Sequence, residues 1–358
     1  MALVASSMEI SAGGYTFNPM KPVSIVILNW NGLSFLKRFI PILESCTPKD
    51  LGEIVVADNG SKDDSLVWLE QEHPDIRLIN LGKNHGYAGG YNLALEQIDS
   101  PFAVLLNSDV EVTPGWLEPL VNLMENPEVG AAMPKIRSHA NRQRFEYAGA
   151  AGGWIDRYGF PFCRGRVFNK IETDNRQYDD RSQIFWASGA CMMVRIEAFR
   201  QAGAFDASFF AHMEEIDLCW RMHAMGYTIW VEPESIVYHV GGGTLPNESP
   251  RKIYLNFRNN LVLLRKNLPS HRKRRVLFSR MIFDGIAAIK FLLEGKPRFF
   301  AAIFKAHCDF YRQPVTKSGP PDSAGANAPH QFPGWYNRSI VLDFFILGKR
   351  QFTDLNHR

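Results

Sequence analysis

The chain has 358 residues, 46% hydrophobic and 22% charged, a balance that excludes a disordered chain and allows one large α/β domain with an appendage, or two modest domains. Its net charge of +3 gives no general case for nucleic acid as a partner. The five cysteines, Cys46, Cys163, Cys191, Cys219 and Cys308, contain no CxxC pair, which argues against a disulfide framework or a zinc site and fits a reducing, cytoplasmic compartment.

Residues 1–20 have no basic start followed by a long apolar run, so they read as a flexible N-terminus and not as a signal peptide. No run of about 18 apolar residues follows, so nothing is expected to span a bilayer. From residue 21 the pattern alternates. Val23–Leu28 is a β-rich run, Leu33–Glu44 has helical spacing, and Glu53–Ala57 is a second strand. Ser61 with Asp64 three positions later predicts an N-cap for a helix running on to Glu72. Ile76–Ile79 is a third strand, a helix opens at Gly90 after a glycine-rich turn, and Phe102–Leu106 and Val129–Met133 are a fourth and a fifth strand. Near-continuous apolar strands separated by helices predict a parallel sheet covered on both faces. Residues 136–183 weaken into an irregular insertion or antiparallel ribbon. Regular structure resumes at Phe185–Val194, followed by a helix at Glu214–Met225 and strands at Thr228–Val231 and Ile236–His239.

After Pro250 the chain reads as helical. Arg265, Lys266 and Arg272–Arg275 make a basic patch. Beyond it, Leu277, Phe278, Met281, Ile282, Ile286, Ile289, Leu292 and Leu293 form an amphipathic stripe, with Arg280, Asp284 and Lys290 elsewhere on the helix. Either the stripe and the basic run rest on an anionic membrane leaflet, or the stripe packs on the main domain and the charges are solvated. Residues 313–334 are rich in Pro, Gly, Ser and Ala and read as a linker. Trp335–Leu347 packs back or docks elsewhere. The expected division is 1–20, 21–265, a basic amphipathic extension 266–312, and a linker with C-terminal segment 313–358.

Ligands of open α/β sheets bind beyond the carboxyl ends of the strands. Three of the first four strands end in polar residues: Asn29-Trp30-Asn31-Gly32, Asp58-Asn59-Gly60-Ser61 and Asn107-Ser108-Asp109. Each alone is an ordinary strand-to-helix turn; together they converge on one edge. A nicotinamide-binding fold would need G-x-G-x-x-G in the first turn, which has a single glycine. The glycine-rich piece Gly82–Gly90 follows strand three, where its amides could cradle an anion. Asp109 is either a helix cap or a carboxylate that holds Mg²⁺ or Mn²⁺ against a diphosphate. His239, after a strand and before three glycines, is either structural or completes that metal shell. In Met213–Arg221, Asp217 and Arg221 are spaced to pair, which leaves Glu214 and Glu215 as candidates for a general base.

Val23–Gly32 (VSIVILNWNG), Val56–Ser61 (VADNGS), Asn84–Asn92 (NHGYAGGYN) and Leu105–Val110 (LLNSDV), in this order, resemble the family 2 glycosyltransferases of the GT-A fold. Ser188-Gly189-Ala190, Gly203–Asp206, Phe209–Arg221 and His239–Gly243 extend the resemblance, which covers residues 22–265 and is nearest to the rhamnosyltransferase-like branch that builds bacterial surface polysaccharides. It implies a Rossmann-like, mostly parallel sheet with helices on both faces, plus a C-terminal helical extension. It implies that Asn29, Asn31, Asp58, Asn84, Gly86, Asn107 and Ser108 border the nucleotide, that Asp109 and His239 bind a divalent cation, and that Glu215, with Glu214 as rival, is the catalytic base. Trp186, Ser188 and Gly189 would line the acceptor side. The family's D-x-D motif reads Asn-Ser-Asp here, and its Glu-Asp pair reads Glu-Glu.

The implied reaction is inverting transfer of a sugar, with rhamnose as candidate, from a UDP- or dTDP-linked donor to a hydroxyl of a growing cell-surface glycan or lipid-linked acceptor at the inner face of the cell membrane. The competing readings are a catalytically inactive sugar-nucleotide-binding module of the same fold, and a sugar nucleotidyltransferase. The latter typically has a basic glycine-rich loop after strand one, which this chain lacks.

Overall fold

A computed structural model describes residues 21–241, 249–312 and 329–355. The expected flexible N-terminus, Gly242 and Gly243, and positions 313–328 of the expected linker lie outside the described residues. In chain order the elements are β1 (Val23–Asn29), α1 (Leu33–Cys46), β2 (Gly52–Asp58), α2 (Ser65–Glu72), β3 (Arg77–Asn80), α3 (Gly86–Leu95), β4 (Phe102–Asn107), β5 (Val110–Val112), α4 (Glu118–Met124) and β6 (Val129–Ser138). The insertion carries β7 (Gly153–Asp156), β8 (Pro161–Cys163), β9 (Arg166–Val167), β10 (Lys170–Ile171) and β11 (Ser182–Gln183). Then come β12 (Cys191–Arg195), α5 (Ile196–Gln201), α6 (Glu214–Ala224), β13 (Thr228–His239), α7 (Pro250–Asn267), α8 (Ser270–Leu293), α9 (Pro297–Arg312), β14 (Trp335–Tyr336) and α10 (Ile340–Phe345).

Among the described residues nine strands form the main sheet, ordered β11-β13-β6-β12-β4-β1-β2-β3, with β5 paired to β13. The strands β4-β1-β2-β3 are parallel. Val23–Ile27 of β1 are all buried, alternate side chains included, so both faces of the sheet are covered. The order places β2 and β3 on one side of β1 and β4 on the other, which opens a crevice at the carboxyl end of β1. Register sets Asn29 beside Asp58, and Leu28 beside Asn107. The sheet turns antiparallel at β12, which lies between β4 and β6.

Local expectations failed at identifiable places. Ser61 does not cap α2. Asp63, closer to the helix start, accepts the Ser65 N–H (3.3 Å) and the Leu33 N–H (3.0 Å), while the Ser61 hydroxyl accepts the N–H of Asn31 (2.9 Å). The two strands read at 228–231 and 236–239 are one strand with a register shift between Glu232 and Ile236. Of the span 185–194 only its end is strand, because Phe185 and Trp186 cross to the insertion, where Gly153 exchanges backbone bonds with them.

The insertion is a small sheet, ordered β10-β9-β8-β7-β14, in which the C-terminal β14 pairs parallel with β7. The C-terminal segment therefore packs back. Gly334 (φ +73°) passes so close to the Phe185 backbone that a Cβ there would lie 2.2 Å from the Phe185 nitrogen. Asp156 accepts the N–H of Ile340 (3.0 Å) at the start of α10.

Most of the stripe on α8 faces away from the body of the protein, although Leu277 and Met281 at its edge pack against the core. Val276, Arg280, Asp284 and Ala288 recur every four residues and are the buried positions, whereas Phe278, Ile282, Ile286, Ile289 and Leu293 are exposed. The inward charges are matched. Arg280 Nε donates to Asp284 (2.7 Å), its guanidinium lies 3.8 Å over the Phe160 ring, and His307 of α9 meets Asp284 at 3.1 Å. Removing one member of a buried ion pair costs about 3–5 kcal/mol. Asp284→Ala should therefore lower unfolding free energy by that amount in urea titration, while Phe278→Ala stays within about 0.5 kcal/mol. A larger loss from Phe278→Ala than from Asp284→Ala would mean that the helix faces are reversed.

A candidate active site at the carboxyl ends of the strands

The loops after β1, β2 and β3 are tied to one another by short polar side chains. Buried Asn29 donates through Nδ2 to Asp58 (3.1 Å) and Ser61 (3.1 Å). The second oxygen of Asp58 accepts the N–H groups of Gly60 (3.1 Å) and Ser61 (2.9 Å). Asn31 is exposed and accepts the Lys62 N–H at 2.7 Å. Asn59 accepts the His85 N–H (2.9 Å) and donates to the Gly86 carbonyl (3.1 Å), and exposed Asn84 accepts the Gly86 N–H (2.8 Å). Five amides of the expected anion cradle Gly82–Gly90 are already used within the protein. The amides of Gly82, Lys83, His85, Gly86 and Tyr87 already donate to Asn80, Leu81, Asn59, Asn84 and Phe210. Asn107 and Ser108 are half-buried at the lip of β4, next to the first turn.

Asp109 and His239 lie 130 positions apart in sequence and meet at 3.1 Å, Oδ1 to Nε2. The cause is strand pairing. β5 continues directly from Asp109 and runs antiparallel to the end of β13, with Val110 opposite His239, and the Val240 N–H donates to the Asp109 carbonyl (3.0 Å). Glu146, which sequence reasoning missed, lies on the other side of the ring, 3.4 Å from Nδ1. It sits in the irregular stretch before β7, where no periodicity marks it. Burial disfavours a charged imidazole, but hydrogen bonds to Asp109 and Glu146 outweigh that and push His239 up to about 10. Burial likewise opposes charge on Asp109, and the His239 bond and charge hold it below the usual carboxylate range. The pair of carboxylates thus holds positive charge between them. Carboxylate and imidazole donors together suit Mn²⁺ better than Mg²⁺. Among the described residues no three His, Cys, Asp or Glu side chains gather as a shell. Asp109 and His239 would therefore need oxygens from outside the protein, such as those of a diphosphate.

The acidic pair opens α6 after a contorted turn. Phe210, His212 and Met213 have φ of 65°, 70° and 76°, each costing about 1–3 kcal/mol without glycine. The turn is held from α7. Asn259 Nδ2 reaches the carbonyls of Phe209 (3.0 Å), Ala211 (2.8 Å) and His212 (2.8 Å), and Arg258 donates to those of Ser208 (2.9 Å) and Phe209 (3.0 Å). Asp217 faces away from this opening, bound to Arg221 (2.9 Å), Lys266 (3.0 Å) and Asn267 (2.8 Å). Burial, then the neighbouring Glu215 charge, raises Glu214 well above its ordinary value, and burial raises Glu215 to about 7. Each keeps a buried, unpaired Oε2. Glu214 is almost fully buried, whereas Glu215 is partly open.

Tyr87 joins the two halves. Its amide donates to the Phe210 carbonyl (2.8 Å), its hydroxyl donates to the Gly189 carbonyl (2.7 Å), and its ring meets that of Tyr91 at 4.7 Å. The Tyr87 hydroxyl is close enough to feel the charges of Glu214 and Glu215, and the Tyr91 hydroxyl that of Asp109. Gly86 is required here, since a Cβ would lie 2.6 Å from the Phe210 carbonyl oxygen. Gly189 is half-exposed beside Tyr87. Trp186 and Ser188 are buried: the indole donates to the Trp154 carbonyl (2.9 Å) and the hydroxyl to that of Ala148. Tyr87 stood within the quoted motif Asn84–Asn92, but nothing in the sequence gave it a partner.

The family profile described as Glycosyl transferase family 2 matches residues 24–203. Over 293 residues the chain is 26% identical to the low-salt glycan biosynthesis hexosyltransferase Agl10 of Haloferax volcanii, covering 79% of this chain and 89% of that one. Over 237 residues it is 27% identical to the N-acetylglucosaminyl-diphospho-decaprenol L-rhamnosyltransferase of Mycobacterium tuberculosis, covering 62% and 76%. Its fold is similar to that of GalNAc-T7, solved with UDP, GalNAc and Mn²⁺, with a TM-score of 0.53 at 16% identity over 70% of this chain and 48% of that one.

The electrostatics can be checked by histidine NMR on metal-free protein. His239 should titrate near 10 and His212 near 4, the latter lowered by burial and then by the Lys252 charge. Asp109→Asn should bring His239 down. A His239 midpoint near the ordinary 6.5 would disprove the carboxylate sandwich.

Proposed function

Because the chain belongs to glycosyl transferase family 2, we propose that its two acidic clusters divide one inverting transfer, Asp109 with His239 serving the donor and Glu215 the acceptor. The enzyme is a GT-A glycosyltransferase acting on glycans. The donor is a UDP- or dTDP-linked sugar, with rhamnose as the candidate, and the acceptor a hydroxyl of a growing cell-surface glycan or a lipid-linked saccharide at the inner face of the membrane. The relative named for rhamnosyl transfer to a decaprenyl-linked sugar supports this choice.

The observation that carries the reading is the partly open Glu215, with an unpaired Oε2 and a pKa near 7, whose charge reaches Tyr87, while that of Asp109 reaches Tyr91, the ring stacked edge-on against Tyr87. A hydroxyl is a poor nucleophile at neutral pH, so a base must take its proton as the bond to the anomeric carbon forms and the bond to the diphosphate breaks. Glu215 is deprotonated in part at neutral pH and has a free lone pair. Glu214 is the poorer candidate because it is more buried and pushed further towards its neutral form. Asn31, Asn84, Gly86, Asn107 and Ser108 border the donor, while Asn29 and Asp58 hold its loops in place. Gly189 and Tyr87 form the acceptor wall, and Trp186 and Ser188 support it from beneath. A divalent cation, held by Asp109 and by His239 once the imidazole has released its proton to make room for it, would stabilise charge on the leaving diphosphate; the imidazole donor favours Mn²⁺. The catalytic domain in this reading spans 21–265 and the helical extension 266–312, with α7 crossing between them.

Glu215→Gln should lower turnover at least about a hundredfold with donor affinity unchanged, and Glu214→Gln much less. The wild type should lose activity as pH falls through about 7, because the base becomes protonated, and Glu215→Gln should lack that limb. Swapped behaviour of the two variants would make Glu214 the base; near-native rates in both would end the assignment. EDTA or Asp109→Ala should abolish transfer, and Mn²⁺ should restore the EDTA-treated enzyme. Full activity in EDTA would refute the metal role.

A further inference from the structure

We propose that the outward face of α8 is a docking surface for an anionic lipid bilayer; this deepens the reading of a membrane-borne acceptor and rests on it only for its purpose. Phe278, Ile282, Ile286, Ile289 and Leu293 fall within about 80° of the helix circumference and extend for about 22 Å at 1.5 Å per residue. Each is at least half exposed, Leu293 to 84%. A contiguous apolar strip of this kind marks an interaction surface. It cannot turn inward, because the opposite side of the helix is pinned by the Arg280–Asp284 pair, by His307 and by Phe160.

Charge selects the occupant. The strip is continuous with exposed Arg274 and Arg275, beside Arg272 and Lys273, and ends near exposed Lys290 and Arg298. The one acid within α8, Asp284, faces the body, and Glu294, just past the helix, pairs with Lys290 (3.4 Å). A second copy laid face to face on α8 would set basic ends against basic ends whether the helices ran parallel or antiparallel. An anionic headgroup layer meets both ends favourably, with the apolar strip at the acyl boundary. No helix among the described residues is long and apolar enough to cross a membrane, so the geometry is that of a helix lying in the interface plane.

Flotation of the full chain with vesicles tests this without donor or acceptor. The wild type should float with phosphatidylcholine–phosphatidylglycerol vesicles and not with phosphatidylcholine alone, and about 1 M salt should release it. The double variant Phe278→Asp, Ile286→Asp should lose at least about tenfold in affinity. Arg274→Gln with Arg275→Gln should lose about twenty-five-fold, about fivefold for each charge. Melting temperatures should be unchanged, since all four side chains are exposed; should a variant melt early, the lipid and salt dependence of the wild type decides. Equal flotation with both vesicle types, or none with either, overturns the proposal. So does a sedimenting dimer of the lipid-free wild type that Phe278→Asp, Ile286→Asp abolishes. A protein that floats but transfers no sugar refutes the transferase reading alone, and one that transfers sugar but does not float refutes this one alone.

Discussion

The amide of Asn259, with no exposure at all, is the contact on which the candidate site depends. It reaches three carbonyls of the turn before α6, where non-glycine residues stand in the left-handed region. Buried carbonyls without donors and a strained backbone would otherwise both favour another path. With the turn held, the Phe210 carbonyl receives the Tyr87 amide, Tyr87 reaches Gly189, and α6 begins with Glu214 and Glu215 directly after the turn. The donor-side loops and the acidic helix are thereby one assembly. α7 therefore holds the turn that opens α6, in addition to leading into the C-terminal helices.

The second organising feature is the continuation of β4 through Asp109 into β5. β5 pairs with the end of β13, and that pairing brings His239 to Asp109. The register shift in β13 precedes this pairing, and Ser235 within the shifted stretch donates to the Trp116 carbonyl (2.6 Å). Glu146 adds a second carboxylate to the imidazole. Its own carboxylate also accepts the Ala148 N–H, and Ser188 donates to the Ala148 carbonyl. Ser188 thus acts on the far side of the site by fixing the loop that carries Glu146.

The C-terminal helices reverse the usual economy of an amphipathic helix. Ion pairs are buried and hydrocarbon is exposed on α8. A buried ion pair stabilises little beyond a hydrophobic substitute, but it fixes orientation where its hydrogen bonds are satisfied. Arg280 is satisfied by Asp284, by Asn260 and by the Gly159 carbonyl (3.3 Å). Arg274 and Arg275 and the apolar strip consequently lie on the same outward side.

The sequence by itself determined the alternating architecture and the edge where the chemistry lies. Apolar strands at Val23, Glu53 and Phe102 followed by Asn29, Asp58 and Asn107 require a covered sheet with polar carboxyl ends, since side-chain period and turn chemistry are local properties. It also singled out Glu214, Glu215, Asp109 and His239, whose residue types limit what they can do. What it could not contain was pairing at long range. Ser61 looked like a cap, but Asp63 stood nearer to the helix start; Gly82–Gly90 looked like an anion cradle, and five of its amides found acceptors on Asn80, Leu81, Asn59, Asn84 and Phe210. Glu146 and Asn259 carry no local signal at all, because their importance comes from partners about fifty to a hundred residues away. The direction in which the α8 stripe faces was likewise undecidable from periodicity, which reports that a helix has two sides. Only the tertiary structure, by giving Arg280 and Asp284 buried partners, decided which side faces water.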